Sequence, residues 1–522
     1  MLCYQPYKEL ILKYFNSKLN YSTQPKGVIR RDRMDGIFLG MEAILNFKTL
    51  IILFMGVLFG IIAGAIPGFT IAMGVVLALP FSYGMDPING VSLLIGVQVG
   101  GNSGGLITAC LLGIPGTPSA VATTFDGYPM AKNGEPGRAL SLGLWSSFIG
   151  TIISGIILIV AAPFLSQWAL AFGPWENFSL MLFGLCAVAS LDEGSLIKGL
   201  LSVSLGILVS FVGIDPLLGI ERFTLNFDEL KAGFNFLPVL IGIFAFSQML
   251  TDINEDSKNV SYSNLNYSIF NSLKDILTSK FNLIRSSLIG TFIGVLPGAG
   301  GSIANIISYD QAKRFSRNSQ RFGTGIKDGV IASESANNSS QGGAFIPMMA
   351  FGIPGDATIA MLMGALMIHG IQPGPLFIDN NPTLANSIYV AFLISAVFML
   401  FIQSKGISLF LLVSRISARH LVPTILIFCT LGSFSVNNRI FDVWVLFLFG
   451  IIGYWMKRSE IPLAPFILGV ILGPIAEKNF QMSLSSNPNF SEFLTRPISG
   501  TFIILSILFF ILPILTKKLK NN

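Results

Sequence analysis

Charged residues are scarce in this chain. Asp, Glu, Lys and Arg make up only 11% of its 522 residues, whereas a soluble domain carries about 25% charged residues. Hydrophobic residues make up 52% and form long runs. These runs include 49–66, 145–163, 195–212, 388–402, 443–455 and 501–515. Because a spanning helix needs about 20 mostly apolar residues, we predict an all-α polytopic membrane protein with roughly 10–14 membrane segments.

Metal ligands and nucleotide-binding motifs are also scarce. The chain has two histidines, and its four cysteines lack C-x-x-C spacing, which argues against a zinc or haem site. The pattern G-x-x-x-x-G-K-[ST] is absent, so the chain is not itself a P-loop ATPase, and energy for pumping has to come from an ion gradient or a partner. No nucleophile–base pair, metal-ligand cluster or aspartate-rich diphosphate motif indicates an enzyme. The formal charge of +6 comes from basic residues in short loops and at the ends of apolar runs, where they set topology rather than bind nucleic acid.

Two polar segments interrupt the apolar sequence at corresponding places. The first is GGNSGG at 100–105, followed by PGTPS at 115–119, and the second is NNSSQGG at 337–343, followed by PGDAT at 354–358. The glycine pairs are offset by 238 residues (342 − 104) and the Pro-Gly pairs by 239 (354 − 115). Broken polar segments at matching places in two halves are the best sequence indication of a secondary transporter's binding site.

A second pair of Pro-Gly motifs precedes these segments. Pro67-Gly68 and Pro297-Gly298 are offset by 230 residues (297 − 67), and each follows glycines spaced by four, which predict close helix packing. Such motifs break a helix at membrane depth, and the freed backbone groups have to line protein or a watery cavity. We therefore predict two repeats with a polar linker. The predicted regions are a basic N-terminal extension at 1–40, a first repeat at 41–250, a linker at 251–280, a second repeat at 281–515 and a basic tail at 516–522.

The extension at 1–40 is either a cytoplasmic tail or untranslated sequence before a start at Met34 or Met41. The second reading is favoured because Met41 leads directly into the first apolar segment.

Charge placement predicts that the repeats are inverted. Five basic residues lie between 313 and 327, whereas the corresponding turn at 81–87 has none; Lys132 and Arg138 have no counterparts at 369–382. Equivalent loops with opposite charge bias lie on opposite sides of a membrane. One observation argues against inversion, since Lys280 and Arg285 would then start the second repeat on the outer face. The turn-rich loop 126–138 is predicted to be cytoplasmic and structural.

The chemistry of a carboxylate suggests which residues bind solute. An anion at mid-membrane loses its hydration and needs donors, which helix starts, hydroxyls and amides supply. The predicted substrate-binding residues are Asn102, Ser103, Gly104, Thr117, Ser119, Asn337, Asn338, Ser339, Gln341, Gly342 and Thr358. Carbonyl groups beside the first Pro-Gly motifs are hard ligands for Na⁺, and Asp356 is a cation ligand or proton carrier. The predicted ion-binding residues are Pro67, Gly68, Pro297, Gly298, Gly300 and Asp356. Glu334 is interpreted as bracing a helix end.

An ordered set of motifs from about Met41 to Leu515 supports a family assignment. The motifs are IPG at 66–68, GMDP at 84–87, IPGTP at 114–118, DGYPMAK at 126–132, GIDP at 213–216, RFT at 222–224, LPGAGG at 296–301, ESANN at 334–338, GG at 342–343 and GIPG at 352–355. Together they resemble the large membrane subunit of the tripartite tricarboxylate transporter family. The resemblance implies a bacterial inner-membrane permease that works with a small four-helix membrane subunit and a periplasmic solute-binding protein, and takes up a carboxylate on a cation gradient.

The chain departs from the family pattern near the site. Gly113 stands where an asparagine is common and Asp356 where a small neutral residue is usual. The predicted solute is therefore a carboxylate, a tricarboxylate or related organic acid, and not citrate in particular. We predict import by alternating access, driven by a cation gradient with Na⁺ as coupling ion and no other cofactor. The alternative is an anion or solute channel, which uses similar re-entrant elements around a charged or carbonyl filter.

Overall fold

Helices dominate the part of the chain that the structure, a computed structural model, describes. That part comprises residues 36–66, 69–191, 195–215, 217–252, 272–413 and 418–520. Pro67, Gly68 and most of the predicted linker lie outside the described residues. The helices of the first half are α1 Phe47–Ala65, α2 Ile71–Tyr83, α3 Pro87–Leu112, α4 Val121–Lys132, α5 Pro136–Ala169, α6 Pro174–Leu191, α7 Leu196–Ser210, α8 Asp228–Lys231, α9 Phe236–Leu240 and α10 Ser247–Asp252. Those that follow are α11 Leu273–Thr278, α12 Lys280–Val295, α13 Gly300–Phe315, α14 Lys327–Phe351, α15 Ala357–Ile368, α16 Phe377–Asn380, α17 Pro382–Val413, α18 Ala418–Asn437, α19 Ile440–Arg458, α20 Leu463–Ser486, α21 Glu492–Thr495 and α22 Pro497–Lys520.

Shorter elements complete the described chain. Single 3₁₀ turns cover Pro118–Ala120 and Ser319–Arg321, and a π-helical turn, Ile241–Phe246, joins α9 to α10. Two two-residue strands, β1 Gly213–Ile214 and β2 Glu221–Arg222, pair antiparallel.

The apolar helices confirm the predicted class, an all-α multi-pass membrane protein. Within the described residues, six helices are long and apolar enough to cross a membrane, and further apolar helices of 10–17 residues accompany them. The six are Phe47–Ala65, Pro87–Leu112, Pro136–Ala169, Pro382–Gly406, Ile440–Arg458 and Leu463–Ser486. The total of 10–14 membrane segments stays a prediction.

Glycines join the first helices of each half tightly. A Cβ at Gly56, Gly60 or Gly64 of α1 would overlap a backbone carbonyl of α3, and one at Gly294 of α12 would overlap the Ser340 carbonyl of α14. The backbones approach so closely because no side chain stands between them. The predicted packing role of this glycine stripe is confirmed for these positions, and Gly68 lies outside the described residues.

The polar segment at 100–105 is helical throughout. It lies inside α3, and the chain leaves the helix only at Gly113, a left-handed C-cap with φ +67°. The second half behaves alike, because α14 contains residues 337–343 and ends at Gly352 with φ +73°. A left-handed cap of this kind is a position that glycine adopts without strain. Side chains of an intact helix, rather than an unwound backbone, therefore present the polar groups at 100–105 and 337–343.

The helices α3 and α14 run in opposite directions where they meet. Asn102 Nδ2 donates to the Asn337 carbonyl at 3.0 Å, and Gln341 Nε2 donates to the Gln98 carbonyl at 3.4 Å, so position rises along one helix as it falls along the other. Both helices occupy the same place in the order of elements in their halves. That the two repeats as wholes are inverted stays a prediction.

The charge-based argument against inversion was wrong about where α12 begins. Asn282, between Lys280 and Arg285, donates to the Asp328 carbonyl at 2.9 Å. The start of α12 thus lies at the end of the molecule that carries the basic loop at 313–327, and not at the opposite end. The residues Lys280 and Arg285 consequently add to the same positive face instead of opposing it.

Candidate solute-binding cavity

Each half brings its two chain breaks together. In the second half the Gly298 N–H donates to the Gly355 carbonyl at 2.8 Å, which ties the break after α12 to the break after α14. In the first half Gly116 packs so closely on the Gly64 carbonyl and the Thr108 side chain that a Cβ there would overlap them. Glycine is needed at these points because two backbones approach each other closely.

A buried hydrogen-bond network then joins the breaks of the two halves. Ser119 Oγ donates to Asn102 Oδ1 at 3.0 Å, and Asn305 Nδ2 of α13 donates to the Ser119 carbonyl. Gly301 lies between them, since a Cβ there would stand 2.9 Å from both Asn337 Oδ1 and Ser119 Cβ. The second-half helix α13 therefore packs directly on the first-half segment at Ser119, and the polar groups of both halves face one region.

A partly enclosed cavity of about 360 Å³ occupies that region. Its volume falls within the range of about 300–1,000 Å³ that is usual for small-molecule sites. Seven of the residues predicted from the sequence line it, and they come from both halves. They are Asn102, Ser119, Gly298, Gly300, Gln341, Asp356 and Thr358.

The other predicted residues that the structure describes do not line the cavity and contact neighbouring residues instead. Ser103 Oγ donates to Gln403 Oε1 at 3.2 Å, and Thr117 Oγ1 lies 3.1 Å from Ser119 Oγ. Gly104 packs on Ile61 of α1, and Gly342 packs on Ser154. The Asn337 carbonyl accepts from Asn102, Asn338 donates to Glu334, and Ser339 donates to the Ala336 carbonyl. Pro297 directly precedes Gly298. The predicted ion-binding residues Pro67 and Gly68 lie outside the described residues.

A lysine that the sequence reasoning missed also lines the cavity. Lys457 lies in the last turn of α19, and its Nζ donates to Gln248 Oε1 of α10, which is another lining residue. Phe244, on the π-helical turn before α10, lies beside them, and π-turns occur often at functional sites. The signal in the sequence was a lysine at the end of an apolar run, which is also the ordinary pattern of a topology determinant.

The cavity wall carries groups of both charges. Helix α13 begins at Gly300 without a side-chain cap, so its first N–H groups lack intrahelical partners and present the positive end of the helix dipole. Together with the Lys457 ammonium, this start favours an anion. Asp356 adds a carboxylate whose Oδ1 accepts from the Ile359 N–H at 2.8 Å and so caps α15. Within the described ranges, no group of three or more His, Cys, Asp or Glu is arranged to hold a metal ion.

Together, the apolar helices and the polar cavity at two meeting chain breaks define the class of a multi-pass membrane protein with an internal polar cavity. A family model described as the tripartite tricarboxylate transporter TctA family matches residues 50–468. The chain belongs to this family. Membership makes it a membrane component of a transport system.

Two relatives come from Agrobacterium vitis. One, described as an uncharacterized 52.8 kDa protein in the TAR-I ttuC' 3' region, is 32% identical over 473 residues, which are 90% of this chain and 94% of the relative. The other, described as an uncharacterized protein in the TAR-II ttuC' 3' region, is 35% identical over 227 residues, 43% of this chain and 94% of the relative. No solved structure matches the chain.

Proposed function

We propose that the chain is the large permease subunit of a binding-protein-dependent secondary transporter that imports a carboxylate solute. The solute is a tricarboxylate or a related organic acid, and transport proceeds by alternating access on a cation gradient. The observation that carries the proposal is the cavity at the meeting chain breaks, whose wall combines Lys457 with the uncapped start of α13. Family membership supports the solute class.

The solute's carboxylates bind where positive charge and donors converge. One carboxylate accepts from the Lys457 ammonium and the first N–H groups of α13, and the Thr358 hydroxyl donates to the rest of the molecule. The Asn102 amide fixes its orientation, because an amide offers both donors and acceptors. The Ser119 hydroxyl, whose proton goes to Asn102 Oδ1, holds that amide in place. These groups replace the hydrogen bonds to water that the anion loses, and they offset the free-energy cost of its desolvation.

A cation binds beside the solute in this proposal, with Na⁺ as the coupling ion. The Asp356 carboxylate and the carbonyls near Pro297, Gly298 and Gly300 are hard oxygen ligands at one side of the cavity. The corresponding carbonyls at Pro67 and Gly68 belong to the same proposal. A cation there compensates the charge of Asp356 and attracts the anionic solute, so each ligand strengthens the binding of the other.

The partners follow from the tripartite character of the family. We infer a small four-helix membrane subunit and a periplasmic solute-binding protein that delivers the carboxylate, with the complex located in a bacterial inner membrane. The binding protein then releases the anion to the permease.

Uptake of labelled di- and tricarboxylates into membrane vesicles tests the proposal. The vesicles contain the chain with its small membrane partner, and uptake is measured with and without the binding protein and a Na⁺ gradient. We expect saturable uptake that needs both. Flux that neither saturates nor depends on the gradient would establish a channel instead.

Lys457→Gln tests the binding site within the same assay. A hydrogen bond to a charged group contributes about 1.5–3 kcal/mol, so we expect the solute concentration for half-maximal uptake to rise about 10–100-fold. The matched control is Arg458→Gln, which removes the adjacent, exposed positive charge and leaves uptake near wild type. Equal effects of the two variants, or none from Lys457→Gln, contradict the assigned role.

A further inference from the structure

A buried carboxylate outside the cavity has an unusual set of neighbours. Glu334 of α14 is fully buried. Its Oε1 accepts from Thr123 Oγ1 at 2.6 Å, and its Oε2 accepts from Ser147 Oγ at 3.0 Å and from Asn338 Nδ2 at 3.2 Å. Ser333 Oγ lies 3.1 Å from Thr123 Oγ1 and extends the cluster. Four of these five residues contribute hydroxyl or carboxylate oxygens.

Within the described ranges, no positive side chain compensates this carboxylate. Among the residues that the structure describes, Glu334 forms no ion pair, whereas the buried Glu176 lies 3.2 Å from Arg496. Cys110 of α3 is the titratable side chain in electrostatic contact with Glu334, and its thiol carries no positive charge. An uncompensated buried charge is strongly destabilising. The site therefore requires a cation to neutralise it.

The neighbours are suited to hold a small cation. The hydroxyl oxygens of Thr123, Ser147 and Ser333 are hard ligands like the carboxylate. Asn338 Oδ1 is a buried acceptor without a hydrogen-bond partner within the described part of the chain. Asn338 turns its Nδ2 toward the carboxylate, so rotation of the amide would bring the unused Oδ1 to a cation bound there.

The position of the cluster connects it to both halves and to the cavity. Thr123 on α4 and Ser147 on α5 belong to the first half, and Glu334 belongs to the second. Along α14, Ser340 in the cavity wall is six residues further on, about 9 Å along the helix axis. The Asn337 carbonyl, one turn from Glu334, accepts from the cavity residue Asn102. A change at Glu334 therefore acts on the contact between the halves and on the cavity through one helix.

We propose that Glu334, with Thr123, Ser147 and Asn338, binds a coupling cation, either Na⁺ or a proton, at a site separate from the solute cavity. This inference rests on the proposed function, because a coupling cation presupposes gradient-driven transport. With the cation bound, the interface between the halves is neutral and the halves are free to rearrange. Without it, the carboxylate carries an uncompensated charge and holds the halves in one arrangement.

Glu334→Gln separates coupling from solute binding. In vesicles with the small membrane partner, two processes are measured: gradient-driven accumulation, and exchange of labelled for unlabelled carboxylate at equal concentrations. We expect the variant to lose about 10-fold or more of its accumulation, a typical coupling between two sites, while exchange remains. The matched control Glu176→Gln changes a buried carboxylate that already has Arg496 as its partner, and it leaves both processes intact.

The proposal is overturned if Glu334→Gln accumulates carboxylate as well as the wild type does. It is also overturned if the variant loses accumulation and exchange together, because that would indicate a structural or solute-binding role. If Glu334→Gln is not recovered from membranes, Ser147→Ala removes one ligand and has to show the same separation. Failure of the wild-type chain to take up any carboxylate would refute the proposed function instead.

Thermal unfolding of the purified full chain identifies the cation. Greater stabilisation by NaCl over choline chloride in the wild type than in Glu334→Gln assigns Na⁺ to the site, because the cation proposed at Asp356 acts on both proteins alike. A proton site gives no such difference, and accumulation then follows a proton gradient in the wild type but not in the variant. Equal stabilisation of both proteins by Na⁺, together with an unchanged proton response, contradicts the site.

Discussion

The breaks after α3 and α14 place Thr117 and Asp356 at corresponding positions, 239 residues apart (356 − 117). Thr117 is almost fully buried and pairs with Ser119 behind the cavity wall, whereas Asp356 is half-buried, caps α15 and lines the cavity. The same local geometry thus holds a neutral support in one half and a charged lining group in the other. Their neighbours, rather than their place in the repeat, decide what each residue does.

The breaks after α1 and α12 differ in the opposite way. Thr70 caps α2 by accepting from the Met73 N–H at 3.2 Å, but the corresponding Gly300, 230 residues later, leaves α13 uncapped. In the second half, therefore, a side chain caps the start of α15, whereas no side chain caps the start of α13. Donors for an anion are therefore concentrated at one break, and the acid is at the other. The two breaks adjoin, since a Cβ at Gly300 would stand 3.7 Å from the Asp356 Cβ, so the uncapped N–H groups and the acid line the same cavity.

Exchanging the two residues is the strongest test of this comparison. Thr117→Asp puts an uncompensated charge in a buried position, so we expect it to destabilise the chain by about 3–5 kcal/mol and to abolish uptake. Asp356→Thr keeps a good N-cap residue, so stability changes by less than about 1 kcal/mol, but uptake loses its dependence on the cation. Thermal unfolding and gradient-driven uptake measure the two effects. Equal stabilities of the two variants would show that the breaks are equivalent after all.

The sequence alone predicted which segments meet but not what each residue contacts. Apolar runs and Pro-Gly motifs located the helices and their ends, because helix formation and breakage depend on local chemistry. Seven predicted residues line the cavity, including Asn102 and Gln341. Lys457 was not singled out and the contacts of Glu334 could not be foreseen, since a lysine at a helix end and a glutamate in a helix look ordinary until tertiary packing shows what surrounds them.

Asp126 gives a second, smaller difference between the halves. On α4, its Oδ1 accepts from the N–H groups of Gly323, Gly325 and Ile326 at 2.8–3.0 Å, and its Oδ2 accepts from Tyr309 Oη at 2.9 Å. The corresponding residue of α15 is Ala365, 239 residues later. The first half therefore clamps the loop that only the second half contains, which agrees with the structural role predicted for 126–138.

Removing this clamp should be costly because it leaves four donors, three of them partly buried backbone N–H groups, without their acceptor. A fully buried unpaired donor costs about 1–3 kcal/mol and a partly exposed one less, because water replaces the lost partner, so we expect Asp126→Ala to destabilise the chain by about 3 kcal/mol in total. Tyr309→Phe removes one of the four donors and should cost about 1 kcal/mol. Thermal unfolding of the purified chain ranks the two. Asp310→Asn, which breaks only a partly exposed ion pair with Arg314, is the control and should cost less than about 1 kcal/mol. If Asp126→Ala destabilises the chain no more than Tyr309→Phe does, the hydrogen bonds from the backbone N–H groups do not contribute to stability.

Asp275 makes the weakest of the links between the halves, at the same basic face. It lies 2.8 Å from Arg138 Nη2 of the first half and 3.2 Å from Lys327 Nζ of the second. Partial burial raises the pKa of Asp275, but hydrogen bonds from Lys327 and Arg138 outweigh it and hold the pKa below the ordinary value. Because the folded pKa is depressed, the link stabilises the fold above the unfolded pKa of about 3.9 and is lost as pH falls through the folded pKa.

Asp275→Asn should therefore cost only about 0–1 kcal/mol at neutral pH, as surface ion pairs do. Unfolding of the wild type and the variant is compared from neutral pH down to below pH 4, a limit set by the approximate unfolded pKa, and at low and high salt. The difference should shrink at acid pH, and also at high salt because exposed charges are screened. A difference that survives both conditions would mean that Asp275 joins the halves by packing and not by charge. The surface link would then resemble the buried contacts at Ser119, where uncharged groups join the halves.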